Sequence, residues 1–117
     1  MNQPNLAAVV ATIAAGGSLS DTIFTGGLDP VAIQMPAGWD TGALTFQAAG
    51  DGVAASVANM YDSDGNEINV AASAGIFIAL SPAAFAGVRH LKIRSGTAAS
   101  AVTQSAERKI TLLVRTV

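Results

Sequence analysis

His90 is the residue best suited to acid–base chemistry, and it is the only histidine in the 117-residue chain. A catalytic triad would need a nucleophilic serine and an oriented acid beside it. The chain contains no Gly-x-Ser-x-Gly sequence, and no lysine follows a glycine-rich turn at the spacing of a phosphate-binding loop. We therefore expect a protein that is not an enzyme, with His90 in a surface or interface role.

Asp62 and Asp64 lie in the sequence Asp-Ser-Asp-Gly-Asn-Glu, which is similar to part of a calcium-binding loop. If Gly65 took the sixth position of that loop, Asp62 and Asp64 would take the third and fifth. The first and twelfth positions would then be Met60 and Ala71, which supply no side-chain oxygen. The pattern favours a plain hairpin turn, with a weak ion site as the alternative. We expect no cofactor and no metal at any stronger site, and the absence of cysteine excludes thiolate ligands.

The charges are few and unevenly distributed. Charged residues make up 12% of the chain, about half of the usual fraction. Residues 1–67 hold seven of the eight acids and no Lys or Arg, whereas residues 68–117 hold all six cations. So few charges predict a surface that is partly covered by a partner, which includes a second copy of the chain. The net charge of −2 argues against a nucleic-acid partner.

Five residues are candidates for contacts at such an interface. Arginine carries a rigid, multiply donating side chain that is enriched at interfaces, and we expect the arginines to pair with acids of the first half or of a neighbouring subunit. Trp39 follows a Pro-Ala-Gly turn, where it either closes one end of the core or stacks on a sugar ring. The candidates are Arg89, His90, Arg94, Arg108 and Trp39.

Short alternating segments have to position these residues. Residues 88–95 alternate strictly, which predicts a strand with Leu91 and Ile93 buried and with His90, Lys92 and Arg94 facing water. Similar segments separated by Gly, Asp and Pro turns predict about eight or nine short strands, and Ser81-Pro82 predicts one helical turn near 82–86. The other predicted strands are 6–13, 22–25, 31–35, 43–49, 53–61, 66–72, 76–80 (as a buried strand) and 110–117.

This pattern is typical of an all-β, antiparallel sandwich or barrel. We expect a flexible N-terminal arm at residues 1–5 and a single domain at 6–117. No apolar run is long enough for a membrane span and no export signal is visible, so no membrane partner is expected.

The order and spacing of several short motifs resemble a family of small structural proteins encoded by tailed phages and prophages. The motifs are Ser18-Leu19-Ser20, residues 35–40 (Met-Pro-Ala-Gly-Trp-Asp), 44–47 (Leu-Thr-Phe-Gln), Asp51-Gly52, Tyr61-Asp62, 65–67 (Gly-Asn-Glu), 80–87 (Leu-Ser-Pro-Ala-Ala-Phe-Ala-Gly), 91–97 (Leu-Lys-Ile-Arg-Ser-Gly-Thr), Gln104 with Arg108, and 110–112 (Ile-Thr-Leu).

That resemblance implies a jelly-roll-like β-sandwich and a capsid decoration, or cement, protein that stabilises the phage head through subunit contacts. Its partners would be the major capsid protein and itself, as a trimer. It would be made in the host cytoplasm and end up on the capsid surface of the virion. Two alternatives remain open at this point: a carbohydrate-binding module for host adsorption, and a tail or head–tail connector component.

Overall fold

Eight strands and one turn of helix make up the computed structural model, which describes residues 6–49 and 56–116. In chain order the strands are β1 (Leu6–Ile13), β2 (Ile23–Phe24), β3 (Asp29–Gln34), β4 (Leu44–Ala49), β5 (Ala58–Asn59), β6 (Phe77–Ala79), β7 (His90–Ser95) and β8 (Arg108–Arg115). The helical turn α1 (Pro82–Phe85) lies between β6 and β7. The predicted arm at 1–5, the turn at 50–52 and the start of the strand predicted at 53–61 lie outside the described residues.

The strands form two antiparallel four-stranded sheets. Sheet A has the order β1-β8-β3-β6, and sheet B has the order β2-β7-β4-β5. First and last strands therefore pair, then second and seventh, third and sixth, and fourth and fifth, with successive pairs assigned to alternate sheets. This is the pairing of a jelly roll, a long antiparallel ribbon wrapped into a sandwich. The predicted all-β antiparallel sandwich is confirmed.

The core lies between the two sheets and is built from the inward residues of alternating strands. Leu91 and Ile93 of β7 are fully buried, as their alternation predicted. They face buried residues of sheet A, which include Ile33, Ile110 and Leu112. Because inward positions are apolar on both sheets, the inner face of each sheet is buried against the other sheet.

The helical turn closes one part of this core. Ser81 precedes Pro82 at the start of α1, and its side chain makes no capping hydrogen bond. Phe85 at the end of the turn is 1% exposed, and its ring lies 5.0 Å from that of Phe46 in an edge-to-face arrangement. Such a contact adds to the burial energy of both rings. The predicted helical turn near 82–86 is confirmed.

Three local predictions are wrong. Arg94 does not face water, because the segment after β5 covers it and leaves it 7% exposed. Residues 66–72 form no strand and contribute only isolated bridges, Tyr61 to Glu67 and Leu44 to Val70. The strand predicted as buried at 76–80 is an edge strand, β6, and Phe77 within it is 62% exposed.

Among the described residues, no helix is long and apolar enough to cross a membrane.

Candidate functional site

The outer face of sheet A is the most distinctive surface of the described chain. Strand register places two rows of side chains across its four strands. One row runs Val10, Thr111, Gln34, Phe77, and the next runs Ala8, Leu113, Ala32, Ala79. Neither row contains a charged residue. We call these eight residues the uncharged face.

Large apolar side chains are exposed on and beside this face. Phe77 is 62% exposed and Val10 is 46% exposed, and Leu6 continues the outward side of β1 with 69% exposure. Val10 and Phe77 stand on the two edge strands of sheet A, with Thr111 and Gln34 between them. Single exposed apolar residues are ordinary, but several on one uncharged sheet face favour a protein-binding surface. The cations Lys109 and Arg115 lie on β8 at opposite ends of the face, and neither takes part in the ion pairs of the described residues. The surface is thus uncharged across four strands, with Lys109 beyond one end and Arg115, opposite Asp29 in the register, beyond the other.

The outer face of sheet B has the opposite character, because Arg94 is tied into a polar network there. Its guanidinium donates to Thr45 Oγ1 at 2.9 Å, to Asn59 Oδ1 at 3.0 Å and to Glu67 Oε2 at 2.8 Å. The Glu67 carboxylate also accepts a hydrogen bond from the Ala98 amide at 3.1 Å. The pair is largely buried, with 9% and 17% of the two side chains exposed. Arg94 therefore fastens the segment after β5 to sheet B.

Arg108 forms a second ion pair at the end of the sandwich near Trp39. It contacts Asp40 Oδ1, and its Nε donates to Gln104 Oε1 at 3.2 Å. Hydrogen bonds from Arg108 and from Ser105 hold the pKa of the Asp40 carboxyl below its ordinary value of 3.8. Both ion pairs join a cation of residues 68–117 to an acid of residues 1–67, so the predicted pairing between halves of the chain is confirmed for Arg94 and Arg108.

Gln104 is the centre of that end, and the sequence did not single out its role. It is fully buried, donates from Nε2 to Ser95 Oγ at 2.7 Å, and accepts from the Asp40 amide at 2.9 Å. A buried amide with this many partners is satisfied and structural. Its one sequence signal is its position four residues before Arg108, which is too common a spacing to identify the contact.

Trp39 lies beside this network and packs partly against the core. Its Nε1 donates to the Gly42 carbonyl at 3.0 Å. The half-buried ring also lines a shallow cleft of about 290 Å³ with Asp40, Thr41, Gly42 and residues 72–74. This placement favours Trp39 as a residue that closes one end of the core over the sugar-stacking alternative.

Arg89 and His90 lie at the other end of sheet B, in a cleft of about 510 Å³ that they line with Phe24, Gly26 and Gly27. Phe24 is 57% exposed, and its ring centroid lies 5.2 Å from that of His90. His90 Nδ1 is buried without a hydrogen-bond partner among the described residues. Sequence reasoning missed Phe24, although its place after the inward Ile23 on a strand predicts an outward ring.

Asp62 and Asp64 occupy a hairpin turn. Asp62 Oδ1 accepts hydrogen bonds from the amides of Asp64 and Asn66, both at 2.9 Å, and Gly65 takes a positive φ of 83°. The carboxylate thus serves as the acceptor that shapes the turn. Within the described ranges no group of three or more His, Cys, Asp or Glu could hold a metal ion.

Comparison with known proteins supports the architecture. No protein-family model matches the chain, and no curated protein matches it. Its fold is similar to that of the SPBc2 prophage-derived protein YomS, whose crystal structure superposes with a TM-score of 0.61. The match covers 99% of this chain and 97% of that one at 10% sequence identity. At this identity the two chains share a fold, and the similarity extends over the whole sandwich.

Proposed function

We propose that this chain is a non-enzymatic structural protein of a tailed-phage particle that binds the capsid surface as a decoration protein. The observation that carries the proposal is the uncharged face of sheet A. Its uncharged surface, with Phe77 and Val10 exposed on the two edge strands, fits a protein partner that offers an uncharged, partly apolar patch. The jelly-roll fold supports the proposal, since viral capsid domains use it, and so does the likeness to a prophage-derived protein.

The proposed mechanism is mechanical. Burying the uncharged face against capsid subunits would contribute roughly 25 cal/mol per Å² of apolar surface. Lys109, beyond one end of the face, would orient the contact through an acid on the partner. Repetition of the contact by the symmetry of the shell would then turn a modest single interface into a stable coat. A net charge of −2 suits the outside of the shell better than contact with packaged DNA.

The deciding experiment measures how many copies of the chain a purified phage particle contains, by quantitative mass spectrometry against the major capsid protein. A decoration protein should be present at hundreds of copies, near the stoichiometry of the shell. About six or twelve copies would instead indicate a neck or tail component, because those structures follow sixfold or twelvefold symmetry. Absence from the particle would overturn the virion role.

A second experiment tests the face itself by returning purified protein to shells that lack it. Phe77→Asp should abolish binding to the shells, because it places a charge at the exposed apolar end of the uncharged face. Phe24→Asp is the matched control, since Phe24 is about as exposed but lies on sheet B. Equal loss of shell binding in both variants would show that the uncharged face is not the contact.

One observation favours a carbohydrate-binding module as a second candidate function. The cleft at Phe24 joins an exposed aromatic ring to Arg89 and His90, and aromatic faces with adjacent donors suit sugar rings. A glycan screen should then find a ligand whose binding is lost in Phe24→Ala and kept in Phe77→Ala. A screen without a ligand would exclude this candidate.

A further inference from the structure

We propose that the free edge of β1 pairs in antiparallel fashion with β1 of a second copy, about a twofold axis at Ala8. The proposal does not depend on a role in the capsid, because the edge belongs to the isolated chain. Sheet A would then continue from one copy into the next through main-chain hydrogen bonds, with Leu6 of each copy opposite Val10 of the other.

The direction of the main-chain groups follows from Thr12. Its amide donates to Asp21 Oδ1 at 2.9 Å, and its carbonyl accepts from the Asp21 amide at 3.2 Å. Both groups of Thr12 therefore point away from β8. The register of β1 with β8 runs without interruption from Leu6 to Ile13, and main-chain groups in an antiparallel pair alternate between the two sides. Those of Leu6, Ala8 and Val10 consequently point to the free edge.

This edge lacks the features that protect sheet edges. Natural edges are short, carry charges or proline, or are broken by a bulge. The sequence of β1, Leu-Ala-Ala-Val-Val-Ala-Thr-Ile, has eight residues with no charge, no proline and no bulge. Among the described strands, the other three edges (β2, β5 and β6) contain only two or three residues each. The long edge of β1 is therefore the place where another strand can add.

The strand is also complementary to itself. With Ala8 opposite Ala8, Leu6, Ala8 and Val10 each face one of the same three residues of the other copy, and each opposed pair exchanges two hydrogen bonds. The large side chains of Leu6 and Val10 then meet across the axis on both sides of the small central alanines. A shift of the register by two residues in either direction loses one of these pairs, and Asp21 already occupies the edge at Thr12. This complementarity, together with the absence of charge, selects a second copy over an unrelated strand.

The first test is the mass of the purified protein by light scattering and sedimentation, from about 10 μM to about 1 mM. A dimer that forms with rising concentration is expected. A monomer throughout this range, or a trimer, would overturn the proposal. Because no capsid is present, failure here leaves the copy-number and shell-binding tests of the decoration role unaffected.

Substitutions at Ala8 test the register. Ala8→Lys places like charges directly opposite each other and should weaken the dimer by roughly fivefold or more. Ala8→Glu should do the same, and an equimolar mixture of the two variants should restore a dimer that contains one chain of each. Ala79→Lys is the control, because Ala79 is also exposed on the same sheet face but lies on β6. Weakening by Ala79→Lys, or no recovery in the mixture, would contradict pairing at Ala8.

Amide hydrogen exchange supplies a readout that does not depend on substitution. The amides of Ala8 and Val10 should gain protection as the concentration rises, because they bond only in the dimer. The amides of Ala7 and Val9 face β8 and should be protected at every concentration. A uniform change along β1 would show that the strand orders as a whole rather than pairing through its free edge.

Discussion

Arg94 and Glu67 hold the segment after β5 against the outer face of sheet B, with Arg94 Nη2 2.8 Å from Glu67 Oε2. The same guanidinium reaches Thr45 on the neighbouring strand β4 and Asn59 on the edge strand β5. One side chain thus connects three strands and the covering segment. Because the pair is mostly removed from water, neither partner can lose the other without leaving a poorly solvated charge.

We expect Glu67→Gln to lower the free energy of unfolding by roughly 2–4 kcal/mol, since it leaves the Arg94 charge without its carboxylate. Urea denaturation monitored by circular dichroism measures this loss. Lys92→Met is the control on the same face of β7, because Lys92 forms no ion pair in the described chain. Adding Arg94→Met to Glu67→Gln should recover part of the loss, and a fully additive effect would contradict the coupling.

The Asp40–Arg108 pair predicts a specific dependence of stability on pH. Arg108 lowers the pKa of folded Asp40, so the pair stabilises the fold above the ordinary aspartate pKa of 3.8 and loses this contribution as the pH falls through the lowered folded value. The difference in unfolding free energy between the natural chain and Asp40→Asn should therefore be constant near neutral pH and shrink below about pH 4. Urea titrations at a series of pH values check this. In a chain that carries Arg108→Gln, adding Asp40→Asn should no longer change the unfolding free energy in a pH-dependent way. A pH-dependent change that remains would assign the pKa shift to another group.

Phe85 is buried and Phe77 is exposed, so alanine substitutions at the two positions distinguish core packing from surface contact. Phe85→Ala should cost about 3–5 kcal/mol of stability, because it empties a buried site against Phe46. Phe77→Ala should change stability little, because the ring is 62% exposed. Thermal unfolding of both variants gives the comparison. A large loss in Phe77→Ala would mean that this ring supports the sheet itself.

Gly96 is expected to be far less tolerant than other glycines with a positive φ. Its φ is 89°, and an added Cβ would lie 2.5 Å from the Ser100 carbonyl oxygen and 2.6 Å from the Val102 amide nitrogen. Gly87 has a similar φ of 84° but open space around the same position. Gly87→Ala should therefore cost only the backbone strain of about 1–2 kcal/mol, whereas Gly96→Ala should cost clearly more. Equal losses of unfolding free energy in the two variants would show that the backbone around residue 100 shifts to make room for the added methyl group.

Alternation predicted most of the fold. The bounds of β1 agree with the predicted strand, and β3, β4, β7 and β8 overlap their predicted segments. The failures share a physical cause, because period two assigns a residue to a face but does not say what covers that face. Arg94 does point outward from sheet B, as predicted, and is buried only because a distant segment crosses over it. Phe77 is exposed because it lies on the outer face of sheet A, and the local sequence does not show that this face stays open to solvent.

The candidate site was less predictable. The eight residues of the uncharged face come two from each of four strands that are distant in sequence, and only the register among β1, β8, β3 and β6 brings them together. The exposed Phe24 beside His90 likewise depends on the pairing of β2 with β7. By contrast, the pairing of cations with acids across the two halves follows from charge segregation, which the order of charged residues along the sequence displays.

The position of β8 between β1 and β3 has a consequence for synthesis on the ribosome. The first strand of the sandwich to emerge has no partner until the eighth is made, because β1 pairs only with β8 within the described sheet. Closing that pair joins residues about a hundred positions apart, a step that favours slow, late folding. Throughout translation, an uncharged strand with both edges open has to be kept from neighbouring nascent chains. A polysome that translates this message brings several such strands close together, so a general chaperone that shields apolar segments should raise the yield.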